Sequence, residues 1–125
     1  MHHRRTAVFI VVGVAIVLIA ILFVMRGTVS KRVYTGTGDV LARRLPPELR
    51  EKYEQELRYT LDKFWSCYES EIVTQNDLND VMDRMRYLQK RDAIEDEEIF
   101  TFIGFVSRIY TDALHEHHRR ALQQE

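Results

Sequence analysis

The sequence predicts an all-α protein, with one N-terminal transmembrane helix followed by a small three-helix bundle. Three observations predict it. Residues 6–25 carry no charged side chain, three later segments repeat apolar residues at three- and four-residue steps, and no stretch shows strand-like alternation. A chain of 125 residues has room for one such anchor and one small domain.

The apolar run comes first. At about 1.5 Å rise per residue, twenty helical residues span roughly the 30 Å hydrocarbon core of a bilayer. Arg4 and Arg5 precede the run and Arg26 follows it, so residues 1–26 read as a membrane anchor with basic flanks. A cleaved signal peptide is the competing reading. The run is longer than an h-region of about 7–15 residues, and no small-x-small cleavage site follows it. Lys31, Arg32, Arg43 and Arg44 add to Arg26 on the C-terminal side. Positive charge gathers on the cytoplasmic side of such segments, which predicts a single-pass protein with a cytoplasmic C-terminal domain. Gly13 has Phe9 and Val17 four residues away, so the helix carries no small-xxx-small pairing code.

Residues 27–45 read as a flexible linker. They hold Gly27, Gly36 and Gly38, several Thr and Ser, and few large apolar side chains. A coil of that length places its ends roughly 25 Å apart. Gly36-Thr37-Gly38 is followed by Leu41 and lacks a Gly-Lys-Ser/Thr, so it reads as a turn and not a phosphate loop.

Residues 46–125 read as a helical soluble domain. The first helix begins near Pro47, where a missing N–H costs nothing. Its stripe is Leu49, Tyr53, Leu57, Leu61, Phe64, Trp65, Tyr68 and Ile72. Thr74 caps the second helix, with Asp77 in its first turn. That helix carries Leu78, Val81, Met82, Met85 and Leu88. Asp92 and Glu95 fit a cap spacing for the third helix, whose first turn is filled by Glu95–Glu98. Ile99, Phe102, Ile103, Val106, Ile109, Tyr110, Ala113 and Leu114 form its stripe, and a cationic cluster of His and Arg ends it. Short links between consecutive helices favour antiparallel neighbours. A core of this size alone supplies only about 3–5 kcal/mol, so help from outside the domain is expected.

Charge excludes one class of partner. Residues 27–125 hold 15 of the 18 Lys and Arg and all 19 Asp and Glu, a formal −4. Phosphate backbones are bound by surplus positive charge, so nucleic-acid binding is not expected. Cys67 is the only cysteine, which excludes an internal disulfide and a Cys-x-x-Cys site.

Candidate chemistry is sparse. Asp112, His115 and His118 lie at helical spacing and could supply part of a zinc site, but no second ligand cluster exists to complete it. The break around residues 87–98 resembles an EF-hand only in outline. It places Tyr87, Gln89 and Arg91 where oxygen ligands belong. No catalytic motif is present, so neither an enzyme nor a cofactor is expected. Tyr59, Tyr87, Phe100 and Phe105 fall off the apolar stripes, and aromatics outside a core are the usual anchors of protein interfaces. The expectation is a membrane-anchored helical interaction module. It would be an accessory or scaffolding subunit of a larger membrane complex, with other membrane or membrane-associated proteins as partners and bilayer contact through residues 6–25. The alternatives are a metal- or ligand-responsive sensor using the histidine-rich helix end, and a transient assembly factor.

Overall fold

The computed structural model describes residues 2–124, with side chains described for 5–21 and 31–124. The described residues form four helices: α1 (His2–Arg44), α2 (Pro47–Glu69), α3 (Gln75–Gln89) and α4 (Asp96–Gln123). No strand occurs among them. They divide into two compact units, residues 1–35 and 36–125.

The first unit corrects the membrane expectation. Among the described residues, no helix is long and apolar enough to cross a membrane. Part of the expected span, residues 22–25, lies outside the residues whose side chains are described. The transmembrane helix over 6–25 and the single-pass localisation with a cytoplasmic domain are therefore not supported. The apolar side chains from Val8 to Ile21 are 46–77% exposed. Residues 8–21 thus present apolar side chains on every side of the helix.

The second unit begins within the stretch expected to be a coil. Residues 31–44 are helical. Gly38, Leu41, Ala42 and Leu45 are buried and recur at helical spacing. Gly38 is small for a reason: a Cβ there would sit 3.0 Å from Leu61 Cδ1 of α2. Asp39 pairs with Arg58 at 2.8 Å, and Gln89 Nε2 donates to the Thr37 carbonyl at 2.7 Å. The end of α1 is thus a fourth helical segment beside the expected three, running antiparallel to α2. It stops at Leu45-Pro46, where the residue before proline is barred from the helical region.

The remaining helices follow the sequence pattern. Pro47 opens α2. Tyr53, Leu57, Leu61 and Phe64 are buried, while Leu49, Trp65, Tyr68 and Ile72 are half-buried. The helix ends in a Schellman turn, with Ile72 N–H bonded to the Cys67 carbonyl at 2.8 Å and Glu71 N–H to Tyr68 at 3.1 Å. Glu71 takes the left-handed conformation there, φ 61°, a place usually held by glycine. Thr74 and Asp77 form a reciprocal capping box at 3.1 and 3.0 Å. All five stripe residues of α3 are buried. The cap of α4 is Glu95, not Asp92, with Glu98 accepting from the Glu95 N–H at 3.2 Å.

Two antiparallel connections in succession leave α2 and α4 parallel. Tyr53 and Lys52 both reach Asp96, at 2.6 and 2.8 Å, which sets the starts of the two helices level. Ile99, Phe102, Ile103, Val106 and Tyr110 of α4 are buried.

Candidate docking groove

Parallel helices α2 and α4 leave a groove of about 270 Å³ between them. Its floor is buried Thr60 and Ile103. Tyr59 on α2 and Phe100 on α4 stand on it at 63% and 65% exposure. Four residues along α4 from Phe100 lies Gly104, on the same face. A Cβ built on Gly104 would meet nothing within 4 Å. Gly38 is glycine because α2 is close, whereas nothing among the described residues crowds Gly104. A glycine inside a helix costs about 1 kcal/mol relative to alanine. The groove is therefore bare at its centre and flanked by two exposed aromatic rings. Glu56 is its one charged lining residue and makes no ion pair among the described residues.

The other interface candidates are placed differently. Tyr87, also exposed, lines a larger hollow of about 460 Å³ between α3 and α4, over Leu88 and Phe102. Three glutamates ring it, and Glu98 is already engaged by Arg91 at 3.0 Å and by the Glu95 N–H. Phe105 is half-buried, with the Arg84 guanidinium 3.6 Å from its ring centre. That stacking gives Phe105 a partner within the chain. The four aromatics do not form one patch: Tyr59 and Phe100 share the α2/α4 groove, Tyr87 lies in the second hollow, and Phe105 is covered.

Asp112, His115 and His118 are all exposed. Among the described residues, no group of three His, Cys, Asp or Glu is placed to hold a metal ion. Beside them, Glu116 bonds Arg119 at 2.7 Å and Arg120 at 3.3 Å. The Arg119 hydrogen bond holds its carboxyl below the usual range. Cys67 is buried as a free thiol, and burial raises its pKa against the opposing pull of Lys63. Fewer thiolates form as a result, which makes it a poor nucleophile.

Sequence reasoning missed Glu56, Gly104 and Ser107. The available signal was a glycine inside a long helical run, one turn beyond an off-stripe aromatic. No family model, curated protein or solved structure matches this chain.

Proposed function

We propose that the chain is a helical interaction module, an accessory or scaffolding subunit of a larger protein assembly that works through surface contact. The observation that carries this reading is the α2/α4 groove, where Tyr59 and Phe100 are exposed beside a glycine that internal packing does not require. Large aromatics beside a depression supply most of the binding energy in protein interfaces. The apolar surface of residues 8–21 adds a second area that this chain leaves uncovered.

The test is a Tyr59→Ser/Phe100→Ser double variant of the full chain. Both side chains are exposed, so folding stability should move by no more than about 0.5 kcal/mol per site. Extracts run on a native sizing gradient should carry the wild-type chain in a larger assembly and the variant in a smaller one. Identical migration of the two folded proteins would overturn the reading.

A further inference from the structure

Resting on that reading, we propose that the groove's occupant is the end of α4 from a second copy of this chain. Helix α4 outruns its neighbour. Tyr53 is level with Asp96, 43 positions on, so the end of α2 at Glu69 is level with Asp112. The following residues, 113–123, extend about 16 Å further at helical rise. Along that overhang His115, His117 and His118 are exposed, and Leu122 is 59% exposed. One copy therefore has a groove without an occupant and a helical tail without a cover.

The two surfaces lie on one helix face. Phe100, Gly104, Ser107, Thr111, His115, His118 and Leu122 recur in steps of four and three. Phe100 and Leu122 are the two exposed large apolar side chains of α4. Laying two copies of α4 antiparallel so that Phe100 meets the second copy's Leu122 puts Thr111 on the two-fold axis. The same register sets His118 over bare Gly104, and His115 over Ser107. Large then meets small and apolar meets apolar, twice, as an isologous interface requires. Residues 113–124 carry Arg119 and Arg120 against the single acid Glu116, a net positive charge, and this register lays them along the groove toward Glu56. Opposite charge at both ends fixes the antiparallel sense.

The experiment uses the full chain with introduced cysteines and a short bismaleimide; Cys67 stays buried. Thr111→Cys should give a linked dimer on its own. A mixture of Phe100→Cys and Leu122→Cys chains should link at least about tenfold more than either alone, the factor that about 1.4 kcal/mol of register preference gives. Adding Gly104→Leu to Thr111→Cys should abolish linkage while the melting temperature holds or rises, because Gly104 faces open space. Association through any other part of the chain would not reproduce this register. Linkage at 111 no greater than at an Asp83→Cys control, or linkage that survives Gly104→Leu, overturns the inference. If a probe at Tyr59 links to a different polypeptide while 111 stays unlinked, the interaction module stands and the second copy falls as its occupant.

Discussion

Tyr53 Oη donates to Asp96 Oδ1 at 2.6 Å, joining the second turn of α2 to the first turn of α4. The same carboxylate accepts from Lys52 Nζ at 2.8 Å through its other oxygen. Asp96 thereby sits at a positive helix start and sets the level of the two helices that form the groove.

Acid should loosen this tie. The Lys52 hydrogen bond, and then that of Tyr53, lowers the Asp96 pKa below its ordinary 3.8. A carboxyl depressed in the folded state contributes stability above its unfolded pKa, and that contribution is lost as pH falls through the folded value. The wild-type melting temperature should therefore drop below about pH 4 by more than that of Asp96→Asn. The partners act at the other end. The Asp96 bond raises both Lys52 and Tyr53, so their contribution is full below about pH 10 and fades above it. Melting curves from pH 2 to pH 11 check both limbs.

Two glycines should respond in opposite ways. Gly104→Ala should stabilise the chain by about 0.5–1 kcal/mol, because alanine restricts the unfolded backbone and its methyl meets open space. Gly38→Leu should destabilise it by about 1–3 kcal/mol, because the added side chain is driven into Leu61 of α2. Urea unfolding at low protein concentration, where association contributes least, compares the two.

Glu71 ends α2 in a left-handed conformation that costs a residue with a Cβ about 1 kcal/mol. Glu71→Gly should recover roughly 0.5–1 kcal/mol and leave the Schellman bonds from Ile72 and Glu71 N–H in place. A higher urea midpoint with an unchanged slope is the expected result.

Cys67 should react slowly with thiol reagents in the folded chain, since it is buried and its thiolate is disfavoured. Its labelling rate at neutral pH should rise steeply on adding denaturant. A rate in the native chain equal to that of the unfolded chain would contradict the packing of α2.

Much of the second unit was legible in the sequence because each helix carries an uninterrupted apolar stripe and a local start signal. Thr74 with Asp77 marked α3, and Pro47 marked α2. The end of α1 was not legible in this way. Gly36 and Gly38 read as linker residues, yet Gly38 permits close approach to Leu61, and the buried Leu41, Ala42 and Leu45 are too few to outweigh two glycines by eye. The apolar run of residues 6–25 predicted a membrane span that the described helices do not supply. The groove was half legible. Tyr59 and Phe100 were visible as off-stripe aromatics, but their meeting depends on α2 and α4 being parallel. It also depends on the level of the two helices, which the Tyr53–Asp96 contact sets across 43 residues of sequence. Phe105 and Phe100 are equivalent by sequence pattern, and the Arg84 guanidinium stacked on the Phe105 ring distinguishes them.

On the proposed function, the α2/α4 groove is occupied by protein in the working state. Photocrosslinking in living cells tests it most directly, with a benzophenone amino acid placed at position 59 or 100 of the full chain and at exposed Asp83 as control. A discrete crosslinked product is expected from 59 and from 100, and none from 83. Irradiation that leaves the chain unlinked at both groove positions would contradict it.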